Sequence, residues 1–360
     1  MRQCVSRRQI CPAQAPSSPK LSTCLLKTEQ MKIRSQSRKR SGSPLEVTGE
    51  RLIVEGKWLK VARVQDEDWQ EGQMVRDPEK FVAAIRASSL RADLFTFCQK
   101  LPEMQPQYNY CLKWDNLAVI RTRSFDEWWE KELPQVTRKN VRRATRRGVL
   151  VRLVACDDTL IRGITDIYNE IPIRDGRPFP HYGKDFATIK REVTTMSDRS
   201  EFLGAFHGEE LIGFIKLIHM GKLSSILHIV SKRAHYDKRP SNALLTKAVA
   251  VCHQRGADYL IYGQYNYGNR SNSALTEFKR RNGFEGILVP RYFIPLTIWG
   301  RVSLGLKLHH GIRGILPRRW VDPVLHLRAK YYEKRLRRFL SLKNSPPDRF
   351  GENDVDAGVA

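Results

Sequence analysis

The second half of the chain alternates helix and strand patterns around three consecutive strand patterns, and this order restricts the fold more than any other feature. Hydrophobic periodicity and turn residues predict a strand at 149–154, helices at 157–170 and 184–196, strands at 202–206, 211–219 and 225–230, a helix at 240–254, a strand at 259–262, a helix at 271–281 and two strands at 287–289 and 292–296. The alternation predicts the α/β class, and the central meander excludes a simple doubly wound sheet.

Residues 48–148 carry weaker patterns of the same kinds. Two hairpins are predicted, one turning at Glu55-Gly56 and one around Asp115-Asn116. Asp77 before Pro78 predicts a helix start, because Asp caps the first turn and Pro fits the first helical position. Ser124 predicts another helix start, and a basic helix is predicted over 137–147.

The run Phe278-Lys279-Arg280-Arg281-Asn282-Gly283-Phe284 follows the last predicted helix, and a glycine, Gly256, follows the central helix at 240–254. Together with the order of elements over 149–297, these features resemble the GNAT superfamily of acyltransferases, in which a Gly-Phe pair ends the final helix. The resemblance implies a mixed α+β sheet of the GNAT type. It also implies transfer of an acyl group from a carrier to an amine.

Residues 138–152, which read Arg-Lys-Asn-Val-Arg-Arg-Ala-Thr-Arg-Arg-Gly-Val-Leu-Val-Arg, are similar to the basic helix that enters the second half of Fem-type proteins. These are tandem GNAT-like peptidyltransferases and their acetyltransferase-annotated relatives. The resemblance implies a degenerate GNAT-like half over 48–148, ending in the basic helix, and an acyltransferase domain over 149–299.

The chain carries 63 Lys and Arg against 38 Asp and Glu, a net charge of +25. A charge of this size attracts nucleic acid, anionic lipid and phosphate-rich carriers. The alternative is that much of the charge lies in flexible ends and only keeps the protein in solution. The seven cysteines form no Cys-x-x-Cys pair, so we expect no zinc site, and reduced thiols fit a cytoplasmic protein.

Both ends of the chain differ from the middle in composition. Residues 1–47 are rich in Ser, Arg, Lys and Pro and are predicted to be a disordered basic tail, with Met31 as an alternative start; residues 341–360 are predicted to be disordered as well. Residues 300–340 predict basic amphipathic helices, which suit either an anionic membrane surface or packing against the body. No apolar stretch reaches about twenty residues and no signal-peptide core is present, so we expect a cytoplasmic location, with peripheral contact at the inner membrane face as an alternative.

A donor site is predicted where the strand before the central helix ends. In a GNAT fold this strand offers backbone groups to the carrier, and the helix N-terminus receives its pyrophosphate. The residues that the resemblance places here are Ile229, Val230, Ser231, Lys238, Arg239, Ser241 and Asn242. The segment 237–242 lacks the glycines of acetyl-CoA-binding members, which puts coenzyme A in doubt, whereas Fem-type proteins lack that loop and use aminoacyl-tRNA. The alternative is a capped helix start whose cations are merely solvated.

The loop over 168–184 joins the first two helices of the GNAT-like half, and the resemblance implies that it covers the acceptor. Long loops that mix aromatic, acidic and basic side chains are also often functional. Glu170 or His181 is a candidate general base, Arg174 and Arg177 are candidates for clamping a carboxylate or phosphate, and Tyr182 is a further substrate-binding candidate. The alternative is a proline-stiffened loop whose charges pair with one another.

A third cluster follows the strand at 259–262. In GNAT folds this strand separates from its neighbour, and a tyrosine near it protonates the leaving thiolate in some members. Tyr262 is therefore a catalytic candidate, and Tyr265 and Asn266 are substrate-binding candidates. Aromatic residues at such spacing also occur as ordinary packing.

Three functions remain open from the sequence. The first is an N-acyltransferase that uses acyl-CoA or a similar thioester, and the second is a Fem-like transferase that uses aminoacyl-tRNA to modify a cell-wall or lipid amine. The third is a non-enzymatic basic protein that binds membrane or RNA on a decayed GNAT scaffold. The missing glycines count against the first function, the basic charge favours the other two, and the polar density of the 168–184 loop counts against the third.

Overall fold

The computed structural model describes residues 45–67, 74–174, 177–266 and 273–310, together with Lys330, Tyr331 and Lys334. The strands are β1 Leu45–Val47, β2 Glu50–Glu55, β3 Val61–Val64, β4 Leu94–Cys98, β5 Cys111–Arg121, β6 Val149–Val154, β7 Ile173–Arg174, β8 Arg177–Pro178, β9 Ser200–His207, β10 Glu210–Met220, β11 Leu223–Ser231, β12 Tyr259–Gln264 and β13 Glu285–Pro295.

The α-helices are α1 Pro78–Ala87, α2 Phe125–Glu127, α3 Gln135–Arg146, α4 Asp158–Asn169, α5 Phe186–Val193, α6 Pro240–Gln254, α7 Ala274–Arg281 and α8 Ile298–Gly305. A π-helical segment, Trp128–Glu132, continues α2, and 3-10 turns lie at Ser197–Arg199, Arg233–Lys238 and Leu308–His310. The described part of residues 149–295 thus has the predicted order of strand, two helices, three antiparallel strands, helix, strand, helix and closing strand. The α/β class and the GNAT-like order are confirmed.

Within the described residues, eleven strands form one mixed sheet in the order β1-β2-β3-β4-β13-β5-β12-β11-β10-β9-β6, and β7 and β8 form a separate pair. The closing strand β13 lies between β4 and β5 of the first half, and it is antiparallel to both. One sheet therefore runs across the predicted boundary at residue 148, and the division into two GNAT-like halves stays a prediction.

Helices cover both faces of the meander β9-β10-β11. On one face, the Phe214 ring lies against Tyr168 of α4, and Lys216 Nζ donates to the carbonyl oxygen of Val193 in α5. On the other face, a Cβ atom at Gly213 would lie 3.2 Å from the side chain of Leu244 in α6. Because side chains alternate along a strand, β10 and β11 present one set of residues to α4 and α5 and the other set to α6.

Several predicted elements are confirmed by their end signals. Asp77 caps α1 by accepting from the backbone N–H of Lys80 at 3.1 Å, and Ser124 caps α2 in the same way. Helix α6 has the predicted bounds, with Pro240 at its start and Gly256, at φ +68°, just beyond its end.

Three predictions about strands are wrong. The hairpin around Asp115-Asn116 is one continuous strand, β5, because β13 pairs along nearly its whole length. The two closing strands are likewise the single strand β13, and β4 was not predicted at all. The predicted tail 1–47 ends too late, because Leu45–Val47 pairs with β2 and buries Val47. The rest of both predicted tails and most of 311–340 lie outside the described residues.

Among the described residues, no helix combines the length and the apolarity needed to cross a bilayer. The same residues contain no group of three or more His, Cys, Asp or Glu side chains placed to hold a metal ion.

Candidate functional site

A gap opens between the parallel strands β11 and β12. The two strands pair only over Leu223–Ser225 and Tyr259–Ile261, although β11 continues to Ser231 and β12 to Gln264. On the other side of β12, the register with β5 shifts between Ile261 and Gln264, and Gly263 has a φ of +56°. A bulge at a glycine bends a strand away from its partner. The strands therefore separate at the predicted place, beside Ile229 and Tyr262.

Helix α6 begins at the mouth of this gap. Ser231 ends β11, and its Oγ atom lies 3.0 Å from Oγ of Ser241 in the first turn of α6. A Cβ atom at residue 213 would lie 2.6 Å from the Ser231 Oγ atom, so only a glycine fits there. The sequence thus fixes the end of β11 against the start of α6.

The backbone at the start of α6 differs in part from the expectation. Asn242 is not an exposed donor, because its N–H donates to the carbonyl oxygen of Arg239 at 3.2 Å and its side chain donates to Asn282 Oδ1 at 2.9 Å. Pro240 has no N–H. Within the described residues, the N–H of Ser241 is the donor at this helix start that makes no hydrogen bond.

Positive charge is concentrated at the same helix start. Arg239 precedes α6 in the left-handed conformation, with φ 59° and ψ 39°. Burial and the neighbouring charges of Arg143 and Arg147 lower the pKa of its guanidinium, and Asp237 opposes this shift. Asp237 is bound by Arg147 at 2.6 Å and lies 3.8 Å from Lys238. The basic helix α3 therefore brings its C-terminal cations to the start of α6.

Glu170, a candidate general base, has both carboxylate oxygens in hydrogen bonds within the protein. One of its carboxylate oxygens accepts from the backbone N–H of Arg233 at 2.7 Å and from Arg174 Nη2 at 3.2 Å, and the other accepts from the N–H of Ala234 at 2.9 Å. Both oxygens are used to tie the end of α4 to the turn before α6. These contacts let Glu170 position the turn before α6, and its role as a general base stays a prediction.

Arg174, a candidate clamp for a substrate anion, is buried and bound to groups of the protein, and the clamp stays a prediction. Its side chain is 3% exposed and donates to the carbonyl oxygens of Ser231 at 3.0 Å and Ile167 at 2.5 Å, besides its contact with Glu170. Its guanidinium also lies 4.5 Å from the centre of the Phe179 ring. These contacts join the loop to the end of β11.

His181, the other candidate base, is buried within the 168–184 loop, and its role as a base stays a prediction. Its ring stacks on Tyr168 with 4.2 Å between centroids, and Nδ1 lies 3.8 Å from Glu192 Oε2. Lys184 donates to the same carboxylate at 2.6 Å. Burial alone would raise the pKa of Glu192, but the hydrogen bonds from His181 and Lys184 outweigh it and lower this pKa to about 2. Arg177 is half-buried and Tyr182 is exposed.

Tyr262, Tyr265 and Asn266 lie along and just after β12. Tyr262 is buried, with Lys279 Nζ 4.6 Å from its ring centre. Tyr265 and Asn266 both donate backbone N–H groups to Asn116 of β5, and burial raises the pKa of the Tyr265 phenol. The Asn266 Oδ1 atom is buried and accepts no hydrogen bond from the described residues.

The sequence did not single out His228, which the structure places at the gap. His228 lies on β11 beyond the last residue paired with β12, on the sheet face that carries the 168–184 loop. Its Nδ1 lies 3.3 Å from the Tyr168 hydroxyl, and its ring is 5.9 Å from that of His181. The sequence feature that could have identified this residue is that a histidine lies within the strand predicted to bind the donor.

No family model and no curated protein sequence matches this chain. Solved structures do resemble it. L-PGS from Bacillus licheniformis is 12% identical, with 82% of this chain and 99% of that chain covered and a TM-score of 0.49. FemX is 12% identical, with coverages of 81% and 95% and a TM-score of 0.45.

The C-terminal domain of a putative lysylphosphatidylglycerol synthetase from Agrobacterium fabrum is 13% identical, with 74% and 88% covered and a TM-score of 0.44. The solved structures that resemble this chain thus include FemX and L-PGS, at low sequence identity.

Proposed function

We propose that the protein is an acyltransferase that moves an acyl group from an anionic carrier to an amine. The observation that supports this most is the separation of β11 and β12 after three paired residues, with the start of α6 at the mouth of the gap. Beyond Ser225, no strand of the described residues pairs with the β12 side of β11, so the backbone near Ile229 is open there to an extended donor arm. The Ser231 carbonyl oxygen, in contrast, already accepts from Arg174.

The reaction requires few groups from the protein. The amine nitrogen attacks the carbonyl carbon of the donor, the new N–C bond forms, and the bond from that carbon to the carrier sulfur or oxygen breaks. One proton leaves the amine and one proton joins the departing thiolate or alkoxide, so the products are an amide and the free carrier. Holding the two reactants in contact accounts for much of the rate enhancement in such a reaction.

The donor's phosphate groups would lie at the start of α6. The unpaired N–H of Ser241 and the positive end of the helix dipole favour an anion. Burial lowers the pKa of the Arg239 guanidinium, and the neighbouring charges of Arg143 and Arg147 lower it further. An anion at this place would relieve that repulsion, which is a reason for these cations to be gathered here.

We propose His228 as the group that receives the proton from the amine. It lies on the loop-covered face of β11, next to the gap, and its Nδ1 contacts the Tyr168 hydroxyl. Glu170 and Arg174 would fix the position of the loop on this face, because Arg174 donates to the Ser231 carbonyl oxygen and Glu170 accepts from the turn that follows β11. Tyr262, across the gap on β12, remains the candidate that protonates the departing group.

A second donor, aminoacyl-tRNA, is favoured by the surface of α3. Besides Arg143 and Arg147, this helix exposes Lys139, Arg142 and Arg146, and no acidic residue lies in its first turn. A row of exposed cations beside the donor site suits a nucleic-acid backbone better than a single pyrophosphate. In this case the acceptor would be a cell-wall or lipid amine, as the Fem-type resemblance implies.

Titration of the purified full-length chain with acetyl-CoA and with bulk aminoacyl-tRNA separates the two donors. For the donor that binds, the double substitution Lys238→Glu and Arg239→Glu should weaken affinity at least about tenfold, since two attractive charges become repulsive. The matched control is Arg191→Glu, an exposed cation on α5 at the other face of the sheet, which should leave affinity unchanged.

Two results would contradict the proposal. One is equal loss of donor affinity in the control and the double variant, which would mean that only net charge matters. The other is binding to random RNA or acidic liposomes with no binding of either donor, which would favour a non-enzymatic binding protein.

A further inference from the structure

Helix α8 carries its apolar side chains on the outside. Ile298, Trp299, Val302 and Leu306 share one face of the helix, because their spacing fits one helical stripe. Ile298 is 81% exposed and Leu306 is 61% exposed. The residues that face the body are small, namely Gly300 and Ser303. This is the reverse of an ordinary surface helix, which buries its apolar face.

The orientation of α8 is fixed by its contacts. A Cβ atom at Gly300 would lie 2.0 Å from the carbonyl oxygen of Asp93, so the helix backbone lies directly against that residue. Thr297 caps the helix by accepting from the N–H of Gly300 at 3.0 Å, and its hydroxyl donates to Asp93 Oδ1 at 2.9 Å. The helix cannot turn its apolar face inward without losing these contacts.

A second tryptophan extends the apolar face. Trp58, in the connection between β2 and β3, is 90% exposed, and its backbone carbonyl oxygen accepts from Trp299 Nε1 at 3.0 Å. The Trp299 indole therefore lies against the backbone of Trp58, 241 residues away in the sequence. Tryptophan is the residue that concentrates at the boundary between lipid headgroups and acyl chains.

The charge around the apolar face is positive. Lys57, Arg301 and Lys307 are exposed and lie next to its tryptophans and Leu306 in the sequence. Among the described residues, the carboxylates of Glu55 and Asp93 are already bound, since Glu55 pairs with Arg63 at 3.1 Å and Asp93 accepts from the backbone N–H of Lys60 at 2.8 Å. A surface that combines exposed indoles and aliphatic chains with exposed cations is complementary to an anionic bilayer.

We infer that Trp58 and the outer face of α8 form a docking surface for an anionic lipid bilayer. The side chains of Trp58, Ile298, Val302 and Leu306 enter the headgroup region, and the flanking cations contact lipid phosphates. The inference does not depend on the transferase activity, because it uses none of the residues at the gap between β11 and β12.

Cosedimentation of the full-length chain with vesicles tests this inference. The vesicles are phosphatidylcholine alone and phosphatidylcholine with about a third phosphatidylglycerol, a fraction that gives a strongly negative surface. The variant is Trp58→Ser with Ile298→Ser, both exposed enough to leave the fold intact. The matched control is Leu150→Ser with Leu153→Ser, which removes two exposed leucines from the edge strand β6.

The wild-type chain should bind the anionic vesicles and show a blue shift in tryptophan fluorescence. The Trp58 and Ile298 variant should bind them at least about tenfold more weakly, since two large apolar side chains no longer leave water. The control should bind as the wild type does. Replacing Lys57, Arg301 and Lys307 with Gln should reduce the preference for anionic over neutral vesicles.

Three outcomes would overturn the inference. The wild-type chain fails to bind the anionic vesicles, or the Trp58 and Ile298 variant binds them as well as the wild type. The third is a dimer in sedimentation velocity that the same variant dissociates, which would show that a second copy of the chain covers this face.

Discussion

Replacing Glu170 with Gln should destabilise the protein by about 3 kcal/mol, the scale found when one partner of a buried ion pair is removed. The Glu170 side chain is 17% exposed and that of Arg174 is 3% exposed, so little water is available to replace the lost contacts. The carboxylate accepts from two backbone N–H groups as well as from Arg174. A Gln side chain keeps one acceptor oxygen and turns an amide N–H₂ toward groups that are themselves donors.

The measurement is urea unfolding followed by tryptophan fluorescence, with Asp166→Asn, an exposed carboxylate on the same helix, as the control. The control should change the free energy of unfolding by less than about 0.5 kcal/mol. Combining Glu170→Gln with Arg174→Met tests the cause. Since Arg174 no longer remains as an unpaired buried charge, the double variant should be about 2 kcal/mol more stable than the sum of the single losses implies.

A Glu170→Gln protein as stable as the wild type would refute the assignment of a positioning role. If the turnover of the Glu170→Gln variant fell while its stability did not, that result would support the general-base role predicted from the sequence. Strict additivity of the two substitutions would show instead that Glu170 and Arg174 act separately.

Two further variants test groups on the loop-covered face. Glu192→Gln should lower the free energy of unfolding at neutral pH by about 2 kcal/mol. This difference should disappear as pH falls from 4.5 toward about 2, because the wild-type carboxylate, with its pKa lowered to about 2, loses its contribution over that range. A difference in urea unfolding that does not change with pH would contradict this. His228→Gln should lower the maximal rate of acyl transfer about a hundredfold and leave donor affinity unchanged. It should also remove the fall in rate at acidic pH. An unaltered dependence of the rate on pH would exclude His228 as the proton acceptor.

The sequence predicted the elements whose ends carry local signals. The bounds of α6 follow from Pro240 and Gly256, and the start of α1 follows from Asp77. These signals act within one helical turn and do not depend on the rest of the fold. The same is true of the strand order β9-β10-β11, whose turns fall at Gly208 and Gly221, both with positive φ.

The prediction failed at β5 because the deciding contact is distant. Asp115-Asn116 has the composition of a turn, yet Asp115 lies inside the sheet with its carboxylate 2.5 Å from Arg291 Nε, a residue 176 positions away. The Asn116 side chain, in turn, accepts from the backbone N–H of Asn266. A local sequence pattern does not distinguish polar residues that pair across a sheet from turn residues.

The sequence named residues that lie near one another at the candidate site, but it did not predict the contacts that each of them makes. Glu170 and Arg174 lie at the end of α4 and in β7 and form an ion pair, as expected for a loop whose charges pair with one another. Their partners are the backbone of Arg233 and Ala234 and the carbonyl oxygen of Ser231, which lie about sixty positions further on. Whether a carboxylate is a base or a fixed acceptor depends on such partners, and the sequence does not contain them.

The residue before α6 has a backbone conformation that favours glycine, but it is an arginine. Arg239 has a φ of 59°, a conformation that costs a residue with a Cβ atom about 1 kcal/mol relative to glycine. The chain accepts this strain together with the repulsion among Arg239, Arg143 and Arg147. A glycine would remove both penalties but would also remove a charge from the mouth of the gap. For the proposed donor, this arrangement favours binding by side-chain charge rather than close wrapping by backbone N–H groups.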